Sequence, residues 1–220
     1  MINGFKAVIF DFDGTLLDVY ESGVQFLIKL FNKYDLELSD KKARSIRDRT
    51  LPDVMGFFNE SLANELNKPP VSEEEVLAFL NQRQDKLFPD ALTVLSKLKM
   101  DGALLLLVSN RPDQDLAKQM RQCGLDEKMF FYVKGVYGTP FEKPRPDAIA
   151  EAVALLRHER IIVPDQIIAV GDHLLDWQVA VAWNIRFFAL TCGVTTKQKF
   201  LEAGLPEHRI FDSLSDLFLK

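Results

Sequence analysis

The sequence predicts an α/β fold: a Rossmann-like three-layer core with a mostly parallel sheet, plus an inserted helical cap subdomain. Three observations carry that prediction. Short continuous apolar runs recur at 6–10, 103–108, 167–170 and 186–190, as strands buried on both faces require. Stretches of helical periodicity separate them, and this alternation implies parallel strands covered by helices on either side. Residues 19 to about 85 break the rhythm with helical stripes and no strand pattern.

Residues 6–10 open the core as a buried strand. In the insertion, Val24, Leu27, Ile28, Phe31 and Tyr34 line one helical face, and Val54, Phe57, Phe58, Leu62 and Leu66 line another. Ser72 and Glu75 form a capping-box signal ahead of Val76, Phe79 and Leu80. The cap is therefore assigned to 18–85, and the core to 1–17 and 86–220, with re-entry near "LFPDA" at 87–91. "ALLLLV", 103–108, is the second core strand. A helix over 113–123 aligns Leu116, Met120 and Cys123 and stops at Gly124. "FYVKGV", 131–136, reads as a further strand. Pro146 suits the first turn of a helix over 146–157, with Ile149, Ala152, Val153 and Leu156 on one face. "IIAV" at 167–170, a helix over 176–183 and "RFFAL" at 186–190 complete the core.

Composition narrows the function classes. The 220 residues are 47% hydrophobic, enough for a sizeable core, and carry a net charge of −5, unlike a general nucleic-acid binder. No apolar run approaches the roughly 18–20 residues of a membrane helix. Asp11 and Asp13 interrupt the apolar stretch near the N-terminus, so no signal peptide is read there. Cys123 and Cys192 have no metal or redox spacing, and a reducing, cytoplasmic location fits them. The expected assembly is a monomer or homodimer, with neither nucleic acid nor membrane as partner.

The chemistry starts in "AVIFDFDGTLLD", 7–18. Asp11 and Asp13, two apart, face one side at the strand's C-terminal end, the usual ligand edge of such sheets. Gly14 permits close approach, although Asp-Gly is also a common turn dipeptide. After the second strand come Ser109, Asn110 and Arg111; a hydroxyl and backbone amides there suit phosphate oxygens, or a helix cap before Pro112. Lys143 in "EKPRPD" is a point cation between prolines. "IIAVGDHLLD" sets Gly171 and Asp172 after another buried strand, with Asp176 four residues on. Each group has a bland reading alone. In a parallel sheet, however, the ends of the strands share one edge, so together they predict a single pocket. Carboxylates about 4 Å apart repel by roughly 4 kcal/mol at an effective dielectric near 20, so the pocket calls for a cation. All-oxygen ligation selects a hard one, Mg²⁺. His158, His173 and His208 are scattered and do not suggest zinc.

"DFDGT", "SNR", "KPRPD" and "GDHLLD" resemble, in order, the four motifs of the haloacid dehalogenase superfamily, and "LFPDALTVLSKLK" is similar to the core re-entry of its phosphoglycolate phosphatase-like branch. The resemblance implies a phosphatase acting on a small phosphorylated metabolite. Asp11 would be the nucleophile, forming an aspartyl-phosphate, and Asp13 the acid and base. Thr15, Ser109 and the amide of Asn110 would bind phosphate, and Lys143 would neutralise charge. Asp11, the carbonyl of Asp13 and Asp172 would ligate Mg²⁺, with Asp176, Gly14 and Gly171 in support. Asp13 separates phosphatase from dehalogenase, because a departing halide needs no proton. Arg47 or Arg49, in the basic segment 41–49, would meet a second substrate anion, unless that segment is only a solvated helix face. His173 and Thr50 depart from the branch's pattern. A sugar phosphomutase of the β-phosphoglucomutase type would share the core residues. Outside enzymes, a receiver-like signalling module or a phosphate-binding protein shares the clustered aspartates, hydroxyl and lysine.

Overall fold

The computed structural model describes residues 4–46, 51–80 and 85–219. The chain divides into two compact units. One is Val19–Asp85; the other comprises the chain up to Asp18 together with the chain from Lys86 onward.

The core unit is built on six parallel strands in the order β5-β4-β1-β6-β7-β8. These are β1 (Ala7–Phe10), β4 (Leu104–Ser109), β5 (Tyr132–Gly135), β6 (Ile167–Gly171), β7 (Arg186–Leu190) and β8 (Ile210–Phe211). A separate antiparallel pair, β2 (Leu17–Asp18) and β3 (Lys86–Leu87), stands at the ends of the inserted segment. β1 is central: Ala7 is level with Leu104 on one side and Ile167 on the other. Chain order reverses there, which opens a crevice at the carboxyl ends of the strands.

Alternation on a doubly covered sheet explains the unbroken apolar runs. Ala7, Ile9, Leu106, Val108, Ile167 and Ala169 pack with Ala152, Val153 and Leu156 of α7 (Ala150–Arg160) and with Val179 and Ala180 of α8 (Leu174–Ala182). On the other face Phe10 meets Phe218 of α10 (Leu214–Phe218), their ring centroids 6.2 Å apart. α10 in turn packs on α5 (Ala91–Met100). α6 (Asp113–Gln122) follows β4 and packs on β5, and α9 (Lys197–Glu202) adds Phe200 to the first face. The stretch expected as one helix from 146 begins as a 3-10 turn, Pro146–Ile149, before α7.

The inserted unit holds α1 (Tyr20–Lys33), α2 (Asp40–Ser45), α3 (Leu51–Leu66) and α4 (Glu73–Leu80). Its own core contains Val24, Leu27, Phe31, Phe58, Leu62 and Val76, so both predicted stripes turn inward. Phe58 is fully buried against Phe31 and Tyr34. Ser72 caps α4 by accepting the Glu75 amide at 3.2 Å. The carboxylate of Glu75 does not close the predicted box; it pairs with Lys33 at 2.9 Å and with the Tyr34 hydroxyl. Among the described residues no helix is long and apolar enough to cross a membrane, and both cysteines are free.

Candidate active site

Asp11 follows β1 directly, and its amide donates to the Val170 carbonyl at 2.9 Å, continuing the pairing with β6 one step past the strand. Its carboxylate accepts from Lys143 Nζ at 2.7 Å. The same ammonium donates to Asp176 at 2.7 Å. Lys143 sits in the loop before the Pro146 turn, and its side chain is only 6% exposed. Asn110, just past β4, fixes it: Asn110 Nδ2 donates to the Lys143 carbonyl at 3.0 Å, and Oδ1 accepts its amide at 2.9 Å. The Asn110 side chain thus joins two site loops.

Asp172 follows β6. One oxygen accepts the Val194 amide at 2.7 Å, the other the Thr15 hydroxyl at 3.2 Å. Thr15, expected at phosphate, is fully buried and spends its proton on this carboxylate. Gly14 is at φ +79°, and a Cβ there would lie 2.2 Å from Asp172 Oδ2. A Cβ on Gly193 would meet the same atom at 2.2 Å, and one on Gly171 would lie 2.4 Å from Asp176 Oδ2. These carboxylates occupy space that any side chain would fill. Ser109 ends β4 on the same edge and is buried.

His173 explains its own presence. Its Nδ1 accepts the Leu175 amide at 3.1 Å, so the ring caps α8 as a hydroxyl would. Its amide donates to Asp176 at 3.2 Å, which places Asp176 in the first turn facing Lys143.

One oxygen from each of Asp11, Asp172 and Asp176 lies within 4.8 Å of the others. Burial, partly offset by Lys143 and reinforced by Asp176 and Asp13, pushes the Asp11 carboxyl up to about 7. Burial and the charges of Asp11 and Asp176 also raise Asp172 well above the usual carboxylate range. For Lys143 burial works the other way, but Asp11 and Asp176 outweigh it and hold the ammonium protonated. Asp13 stands outside this trio, in a two-point pair with Arg111 at 2.6 Å for each bond. Four carboxylates therefore face two cations, a deficit that a divalent ion would close. The trio offers only oxygen donors, so the residues present fit a hard divalent metal.

The predicted residues Asp11, Asp13, Thr15, Ser109, Asn110, Lys143, Asp172 and Asp176 thus lie on or beside one edge of the sheet. Arg47 and Arg49 lie outside the described residues. Sequence reasoning missed Arg111 as the partner of Asp13 and the Gly193–Val194 backbone that holds Asp172. A glycine three residues past the end of the buried strand β7 was the available signal for the latter.

Residues 8–190 match the family model of haloacid dehalogenase-like hydrolases. The chain is 26% identical to the pyrophosphatase PpaX of Bacillus mycoides, over 96% of this chain and 94% of that one. It is 24% identical to phosphoglycolate phosphatase 1 of Pseudomonas aeruginosa, over 96% and 78% respectively. A crystal structure described as a "predicted phosphoglycolate phosphatase" from Haemophilus somnus superposes with a TM-score of 0.75 at 21% identity, covering 99% and 98%. This last likeness bears on the fold.

Proposed function

The chain belongs to the haloacid dehalogenase-like hydrolase family, and on that premise we propose that it is a Mg²⁺-dependent phosphatase that hydrolyses a small phosphomonoester through phosphorylated Asp11. The observation that carries this reading is the convergence of Asp11, Lys143, Asp172 and Asp176, from three separate segments of the chain, on one buried cluster. Mg²⁺ would be held by Asp11, the Asp13 carbonyl and Asp172, with Asp176 beside them. When bound it supplies positive charge that lets an anionic carboxylate approach an anionic phosphate.

The residues divide the remaining work. Asp11 Oδ forms the new bond to phosphorus while the ester's P–O bond breaks. Asp13 gives its proton to the departing oxygen, then takes one from the water that attacks phosphorus as the Asp11 Oδ–P bond breaks and the carboxylate is regenerated. Lys143 offsets charge on Asp11 and on the phosphate. Ser109 and the Asn110 amide, at the end of β4, would hold phosphate oxygens. Thr15 fixes Asp172.

A phosphate-release screen over small phosphorylated metabolites tests this. We expect Mg²⁺-dependent release that EDTA stops and Mg²⁺ restores, and none from Asp11→Asn. Metal-independent release, or an active Asp11→Asn protein, contradicts the reading. Isomerisation of a sugar phosphate without free phosphate would assign the site to a phosphomutase instead.

A further inference from the structure

Arg111 has no part in the reaction as set out above, yet it makes the two-point contact to Asp13. Its Nε donates to Oδ2 and its Nη2 to Oδ1, each at 2.6 Å. Such a fork fixes the plane of a carboxylate as well as its position. The Arg111 side chain is 12% exposed and that of Asp13 30% exposed. The guanidinium lies over the ring of the fully buried Phe12, 5.8 Å from its centroid.

Both partners ride on anchored backbone. The Arg111 carbonyl accepts the Tyr137 amide at 3.2 Å. A Cβ on Gly135 would lie 2.5 Å from that carbonyl oxygen, so the β5 end abuts the Arg111 loop. On the other side the Leu16 and Leu17 amides both donate to the Phe12 carbonyl at 2.9 Å, and the Gly14 amide donates to the Leu17 carbonyl at 2.8 Å, closing the turn that carries Asp13. Asp13 thus pairs with a different cation than Asp11 and Asp176, which share Lys143.

We propose that Arg111 is the positioning residue for proton transfer by Asp13, and that it acts on the leaving-group step rather than on phosphate binding. The inference rests on the phosphatase reading. The two-point fork is the pairing of an ionised Asp13; for Asp13 to carry a proton the fork opens at one oxygen, which takes the proton, while the other oxygen stays anchored to Arg111. The proton passes from that oxygen to the departing alkoxide oxygen as its bond to phosphorus breaks. In the second half-reaction the attacking water returns a proton to it. An aryl oxide such as nitrophenolate departs without a proton, whereas an alkoxide requires one.

The test compares p-nitrophenyl phosphate with the alkyl monoester that the wild-type protein hydrolyses fastest. Arg111→Met should lower kcat for the alkyl ester by about a hundredfold. It should change kcat for the aryl ester by less than about threefold and leave KM for both near wild type, on the premise that the aryl leaving group needs no proton. Arg111→Lys, which keeps the charge but not the fork, should fall between the two for the alkyl ester alone; it also serves if the Met variant does not fold. Equal losses on both esters, a loss confined to KM, or no loss overturns the proposal. A wild-type protein that releases phosphate from neither ester overturns the phosphatase reading itself, and this proposal with it.

Discussion

A methyl group on Gly14 would occupy the place of Asp172 Oδ2, at 2.2 Å. The two residues are far apart in sequence, and the turn after β1 comes this close to the end of β6 only because residue 14 has no side chain and sits at φ +79°. Gly14→Ala should therefore cost about 1–2 kcal/mol from the backbone alone. It should also displace the carboxylate. We expect a fall of at least about a hundredfold in kcat/KM, the scale associated with an angstrom of misplacement in a catalytic group. The sheet's circular dichroism should be retained. Steady-state kinetics and a denaturant titration check both parts.

Lys143 is the counter-charge for two buried acids, Asp11 and Asp176, each at 2.7 Å. Removing it leaves them facing each other without compensation. Lys143→Met should destabilise the protein by on the order of 3–5 kcal/mol when the acids remain ionised. Lys143→Arg keeps the charge but changes its shape, and should lose less stability while still losing most activity. Urea unfolding of both variants, alongside phosphate release, separates charge from geometry.

Glu75 gives a pH-dependent signature inside the helical unit. Hydrogen bonds from Tyr34 and Lys33 hold its carboxyl below the ordinary value of 4.5. A carboxyl depressed in the folded state adds stability above its unfolded pKa, and that contribution is lost as pH falls through the folded value. Glu75→Gln should therefore lower Tm slightly near neutral pH, and the difference should disappear as the pH falls through the depressed value of the folded carboxyl. The pair is solvent-exposed, so added salt should shrink the effect. Thermal unfolding of both proteins across pH measures it.

The core sheet was legible because a strand buried on both faces leaves an unbroken apolar run, and "AVIF", "LLLLV" and "IIAV" are each followed within two residues by a polar group. Parallel pairing then carried Asp11, Ser109 and Asp172 to one edge without further information. The pairs β2–β3 and β8 were not legible, since two-residue strands carry no period. Neither was the choice of partners among charged groups. Nothing local to Asp13 points to Arg111, and Glu75 showed a capping-box pattern but took Lys33 and Tyr34 instead. His173 looked like a departure at the metal edge, and its ring turned out to do the capping that a hydroxyl performs.

In the proposed reaction Asp11 itself accepts the phosphoryl group. Quenching the protein during turnover, reducing it with borohydride and sequencing the peptide containing residue 11 by mass spectrometry would trap that intermediate. A phosphorylated Asp11 would be reduced to homoserine at that position, in wild type and not in Asp11→Asn. Continued release of phosphate with an unmodified Asp11, or with the reduced residue elsewhere in the chain, would contradict it.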